Sequence, residues 1–549
     1  MLFNLTQNKE GIIMLRKGIA AAALIAASTS VFAGGPDVPP PAYIGGVYVD
    51  VGLSRDDVVD AYRQAFTFTE TAPDQTGTTI VRGPNATYRA DAGAPGWDGL
   101  IGFGYNYVWD NEWSFGFELF GDISSAHGTQ FESKQVNLIT GLTTNSSESL
   151  RVERTVGVSL LPGYFVAPGS LYFMELGYVN SEFDLRGFPN PYTNSPVINF
   201  RTVSGNPSRE VDESGFRIGF GTNTQVGTHV AIRQEYIWET YGNVNARRDV
   251  TRTTDDVQGA IVTSNYTNGV RVSPDIGKYN LAAVYYFARQ GNAPDLNTAP
   301  AHVGGHFYVG LNGSYDEAYS QASYWSERTT ATTNGVVSAD TTNANGGLMK
   351  ITGWNVGLLA GYGMNFSNRW YLGAEVFGNW DDVDGRYNGN ISDSTTTVNG
   401  VITTTATASN INSRLEKEWD FGAALIPGYQ VSDNALLYAR VGYVGAEFEI
   451  NNRWVGATGY TAAQNALLTR NNERWLSGLQ LGVGVDTVVY DNLSLRTEFN
   501  INNFGNYTVN TLVNTETVRN IVATTRISTI HRHNIEDQVN VALIWHFFG

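Results

Sequence analysis

The sequence predicts an all-β protein, a transmembrane antiparallel up-and-down β-barrel in two homologous eight-strand units. One sixteen-strand barrel is the alternative. Three observations carry this. Apolar residues recur with a period of two rather than 3.6. The chain repeats itself at an offset of roughly 260 residues. Tight turns alternate with long polar connections.

Composition sets the bounds. The 549 residues include 29 Tyr, 26 Phe and 12 Trp, too many aromatics for a disordered chain. Only 16% are charged, and the net charge of −17 argues against a nucleic-acid partner. The absence of cysteine excludes disulfides, thiol catalysis and Cys-ligated zinc.

Residues 1–33 read as a signal peptide, with Met14 as an alternative start. Arg16 and Lys17 precede a short apolar core at 18–28, and Val31-Phe32-Ala33 offers a small residue for cleavage. No later run of 18 apolar residues predicts a membrane helix.

The repeat defines the units. Residues 96–121 match 353–378 at 10 of 26 positions, 160–183 match 425–448 at 11 of 24, and 214–243 match 477–506 at 10 of 30. The first unit spans 34–290 and the second 303–549, joined by a linker at 291–302. Strands are expected near 43–54, 97–109, 112–123, 153–166, 170–183, 213–226, 228–241 and 278–288. Their counterparts lie near 303–314, 353–366, 369–380, 417–431, 435–449, 475–489, 492–504 and 534–548. Turns at Asp110-Asn111, Ala167-Pro168-Gly169 and Gly227-Thr228 are tight. The other connections, such as 56–95 and 387–413, are expected to be long Thr/Asn/Ser-rich loops on the opposite, outer side.

Alternation assigns the faces. Phe115, Phe117 and Leu119 share one side of a strand, opposite Gly116, Glu118 and Phe120. The less apolar face carries Gly102, Gly104, Gly157, Gly177 and Gly219, which suits a crowded closed interior better than a solvated sheet. The apolar face then meets lipid. Trp109, Trp113, Tyr164, Phe366, Trp370 and Tyr429 flank the short turns, where an interfacial aromatic girdle belongs.

Signal peptide, eight strands per unit, tight turns and a last strand ending NVALIWHFFG resemble the outer-membrane protein A and opacity-type β-barrel superfamily, here in tandem. NLAAVYYFAR is the matching terminal strand of the first unit. The resemblance implies a Gram-negative outer-membrane location, contact with outer-membrane lipid and lipopolysaccharide, and recognition of Phe547 by the barrel-insertion machinery. No peptidoglycan-binding segment follows the barrel, so peptidoglycan anchoring is not implied.

The site-like residues point inward. Asp50, Glu118, Glu175, Arg217, Arg233 and Glu235 in the first unit, and Glu375, Arg440, Arg496 and Glu498 in the second, are expected to form ion-pair networks that block a wide path. Arg440 replaces Glu175, and Gln480 replaces Arg217. Ser124, Ser125 and His127 could serve a hydrolase only if they converge. His531 and His533 make an incomplete metal site. The expected role is non-enzymatic, without cofactor or metal. It is structural or surface-antigenic, or adhesive to a host or surface ligand through the loops, with at most small-solute leakage. A sixteen-strand porin and a surface lipid or ester hydrolase are the alternatives.

Overall fold

A computed structural model describes residues 45–73, 79–82, 85–109, 112–136, 143–186, 208–255, 261–287, 304–332, 337–391, 396–398, 401–403, 409–455, 469–518 and 521–548. The expected signal peptide, the linker and the Asp110-Asn111 turn lie outside them. Every element is a β-strand, and neighbours in the main sheet run antiparallel.

Pairing in the first half is sequential. Strand one, Gly46–Pro73, pairs with strand two, Asn85–Trp109. Strand three, Trp113–Ser124 continued by His127–Val136, follows, then four (Thr143–Ala167), five (Ser170–Arg186) and six (Ser208–Gln225). Strand seven, Val230–Tyr241, is prolonged by Val244–Asp255. Strand eight, Pro274–Tyr286, is preceded by Ile261–Val272. Strand one then pairs with strand eight, from Tyr48↔Tyr286 to Asp60↔Pro274, so the ladder returns on itself.

The second half repeats this ring. Its strands are Gly304–Thr332, Val337–Asn365, Trp370–Ile391, Ser409–Gln430, Ala435–Val455, Thr469–Tyr490, Leu493–Phe504 with Tyr507–Val518, and Ile521–Phe548. The first pairs with the last, from His306↔Phe548 to Thr332↔Ile521. Return of the ladder pairs the described strands on both sides near the short turns, the condition for a sheet in lipid.

The strands are longer than the sequence suggests. Expected strands at 43–54, 303–314 and 534–548 become Gly46–Pro73, Gly304–Thr332 and Ile521–Phe548. Parts of the expected loops 56–95 and 387–413 are therefore strand. The reason is local. Thr-rich stretches are good strand formers, but polar on both faces they lack the period-two apolar signal.

Chemistry along each strand changes at a fixed level. Near the short turns, exposed residues are apolar and inward residues polar: on strand three Phe115, Phe117 and Leu119 are exposed, while Ser114, Glu118 and Asp122 are buried. Farther out the pattern inverts. In the second half Val441 and Tyr443 face outward, but past them Val444, Ala446, Phe448 and Ile450 pack inside while Glu447 and Glu449 turn outward. Val152, Phe183, Leu185 and Val272 build the matching apolar plug in the first half.

Candidate functional site

The outer wall carries two aromatic belts. Trp109, Trp113, Phe366, Trp370 and Tyr429 are exposed beside the short turns, and Trp113–Tyr164 and Trp370–Tyr429 pack edge to face. Trp97, Trp354, Trp380, Trp419 and Trp475 form a second belt, which the sequence reading missed. Trp380 follows Trp370 by ten residues and Trp419 precedes Tyr429 by ten. Ten residues of tilted strand span about 25 Å, the height of an outer-membrane apolar band. Phe547 is exposed within the closing strand, opposite Phe307. Beyond the second belt, Glu418 sits above the usual carboxylate range through partial burial and then repulsion from Glu449, Glu447, Glu416 and Glu473.

Inside, alternation delivers the charged side chains to one axis. Arg233 Nη1 lies 2.5 Å from Glu118 Oε2 and 2.9 Å from Asp50 Oδ2, and the Tyr48 hydroxyl donates to Glu118 at 2.7 Å. Arg217 meets Glu175 at 2.7 Å, Glu239 at 3.3 Å and Glu235 at 4.0 Å, with its guanidinium 3.9 Å over the Phe120 ring. In the second ring, Glu375 bridges Arg440 and Arg496, each at 2.7 Å. Arg440 also reaches Glu498 at 3.2 Å, and Arg496 reaches Asp486 at 3.1 Å. All ten residues singled out in the sequence thus lie inside, in two clusters.

Glycine makes these layers fit. A Cβ on Gly104 would run into the Tyr48 ring, and one on Gly361 into Tyr308, its counterpart. The tyrosines can lie across the interior only because the neighbouring strand offers no side chain.

A second charged layer sits at the level of the outer belt. Lys278 Nζ is surrounded by Asp122 (2.8 Å), Asp98 (3.2 Å), Asp56 (3.3 Å) and Glu239 (3.9 Å). Lys417 Nζ is surrounded by Glu536 (2.6 Å), Asp420 (2.7 Å), Asp316 (3.0 Å) and Asp381 (3.4 Å). Asp316, Asp381 and Asp420 are close enough to hold a cation, and the lysine ammonium lies among them. Sequence reasoning missed this layer. The available signals were the repeated Ser-x-Asp of Ser54–Asp56 and Ser314–Asp316, and the scarcity of lysine, six in the whole chain.

A bulge explains why Lys417 was hidden. Register shifts between Lys417 and Trp419, so Lys417 and Asp420 both point inward although strict alternation would oppose them. In the second ring the interior cavity bounded by Asn312, Glu375, Arg440, Arg496 and Glu498 measures about 20 Å³, room for one water.

The candidate hydrolase residues do not converge. Ser124 Oγ lies inside, 3.4 Å from Asp56, whereas Ser125 Oγ donates outside to the Trp97 carbonyl and His127 is exposed. The side chains of His531 and His533 lie outside the described residues.

Residues 298–518 match the family described as outer membrane protein beta-barrel domain. The second half is thus similar to outer-membrane barrel domains. No curated protein matches the chain. Among solved structures, the Pseudomonas putida toluene transporter TodX aligns over 93% of this chain and 90% of its own, at 10% identity and a TM-score of 0.23. A Pseudomonas aeruginosa FadL homologue aligns over 91% and 90%, at 9% identity and a TM-score of 0.21. Ail, the attachment invasion locus protein of Yersinia pestis, aligns over 40% of this chain and 97% of its own, at 9% identity and a TM-score of 0.15.

Proposed function

We propose that the protein is a Gram-negative outer-membrane protein of two tandem eight-strand barrels, with closed interiors and a structural or adhesive role at the cell surface. The carrying observation is the stack inside each ring: an arginine layer, a lysine–carboxylate layer and an apolar plug. A solute path would have to break paired buried charges and then cross dry apolar packing, both costly. The separate return of each ladder supports two barrels over one of sixteen strands. Between the aromatic belts the wall fits lipid, with lipopolysaccharide around the outer belt, and the insertion machinery reads the Phe547 strand. The extended strands carry the loops about two to three times the belt spacing away from the short turns, where a host or surface ligand is met. The work is binding and scaffolding rather than catalysis.

The test is conductance of the purified, refolded protein in a planar bilayer. The reading expects none, or rare small openings. A large, stable conductance would establish a sixteen-strand porin.

A further inference from the structure

On most strands the outward side chains up to the outer belt are exposed, and so are Val51 and Leu53 on strand one and Leu281 and Tyr285 on strand eight. Toward the outer belt and just past it, parts of strands one, seven and eight of the first ring are covered instead. Asp57, Gln234, Tyr236 and Tyr279 point outward by alternation, yet none is more than 9% exposed. In the second ring the same holds for Tyr315, Glu317, Tyr319, Lys350, Phe499 and Asp537. These two faces cover each other. Tyr279 stacks on Phe499, centroids 4.1 Å apart and rings 9° from parallel. Tyr315 packs on Trp238 at 4.9 Å and on Tyr236 at 6.1 Å. Arg55 Nε donates to Asp537 at 2.9 Å. Lys350 Nζ meets Glu317 at 3.2 Å within its own ring and the Asp57 carbonyl at 3.3 Å across the seam. Gly277 lies beneath Glu317, where a Cβ would stand 2.7 Å from the carboxylate and 2.9 Å from the Tyr236 hydroxyl.

The seam also has internal symmetry. By the repeat, Tyr236 corresponds to Phe499, Gly277 to Asp537 and Arg55 to Tyr315. Arg55 of strand one meets Asp537 on the other half's strand eight, while strand eight at Gly277 meets strand one of the other half at Glu317. Strands one and eight of the first half thus meet strands eight and one of the second, although the contacting residues are not equivalent pairs. Farther out, backbone pairs Thr342–Gly346 with Glu132–Val136 extend the contact.

We propose that this seam is an ion-latched docking surface whose partner is a second barrel of the same fold, and that it, rather than the connecting segment, holds the halves together in the membrane. Arg55 lies at the level of the outer belt, opposite Trp97, and Asp57, Glu317, Lys350 and Asp537 lie just past it, where charges so largely buried need a partner. A partner wall bearing complementary charge meets that requirement and lipid does not. The inference rests on the two-barrel reading.

The test uses the full chain with a protease site inserted at 291–300, cut after folding in non-denaturing detergent. The two fragments are expected to co-purify and migrate together unheated. Arg55→Glu combined with Gly277→Leu should raise the dissociation rate about tenfold or more, with each fragment still heat-modifiable. Arg55→Asp with Asp537→Arg should restore association. Separation of the nicked wild-type fragments, or full retention by the Arg55→Glu, Gly277→Leu variant, would overturn the latch. Loss of heat-modifiability in both fragments once they part would instead defeat the two-barrel reading beneath it.

Discussion

Lys278 and Lys417 neutralise equivalent carboxylate layers from different walls. Lys278 stands on the eighth strand of its half, where the repeat puts Gln538 in the other; Lys417 stands on the fourth, where the first half has Val152. Ser54–Asp56 and Ser314–Asp316 meet both lysines from strand one. The layer is kept and its cation has moved, as expected if charge balance rather than one residue is maintained.

Removing that cation should be costly. Lys417→Met leaves Asp316, Asp381, Asp420 and Glu536 buried without their ammonium, and unfolding should become easier by about 3–5 kcal/mol. Moving the lysine back, as Lys417→Val with Gln538→Lys, should recover at least part of the loss. Urea unfolding followed by heat-modified migration measures both. A double variant no better than Lys417→Met would show that the layers are not interchangeable.

The arginine layer makes a parallel prediction. Arg496→Ala removes contacts to Glu375 and Asp486, and Arg233→Ala removes those to Glu118 and Asp50. Each should destabilise its own half by about 2–5 kcal/mol. Unchanged unfolding in both variants would mean that these side chains can reach water.

Much of this is legible in the sequence. Glu118/Glu375 and Arg233/Arg496 recur at matching positions of a period-two pattern, so repeat and alternation together turn them inward. Lys278 and Lys417 do not recur at matching positions, and the bulge at Lys417 breaks the alternation, so neither rule could find them. The seam escaped for another reason. Tyr236, Trp238 and Phe499 are what a lipid-facing wall also carries, and it is the outward charges Arg55, Asp57, Glu317, Lys350 and Asp537 that betray a protein neighbour. Strand ends were misjudged where Thr and Asn replace apolar residues on both faces.

The belts predict a depth profile. Val376 is exposed on a strand six residues past Trp370 and four before Trp380. Val376→Arg should cost about 2–4 kcal/mol, whereas Trp380→Arg, at the belt, should cost about 0–1 kcal/mol for the charge itself. The comparison is made by reversible unfolding in lipid vesicles. Equal costs would place the apolar band elsewhere on the wall.

Orientation is the remaining question, and strand parity addresses it. Each half begins and ends at the short-turn side, Gly46 beside Tyr286 and Gly304 beside Phe548, so an even number of crossings returns the chain to its starting side. An exported chain that enters from the periplasm should keep that side periplasmic, with the long hairpins outside. The tags therefore belong between paired strands, past Pro73 and past Val398, rather than anywhere in 56–95 or 387–413, because residues such as Tyr62–Thr67 and Tyr387–Ile391 are paired strand. Epitopes inserted between Asp74 and Gly77, and between Asn399 and Gly400, should label on intact cells. A third, placed in the turn between Phe366 and Trp370, should label only after permeabilisation. The reverse pattern, with the turn tag accessible and both hairpin tags silent, would invert the topology and with it the surface role.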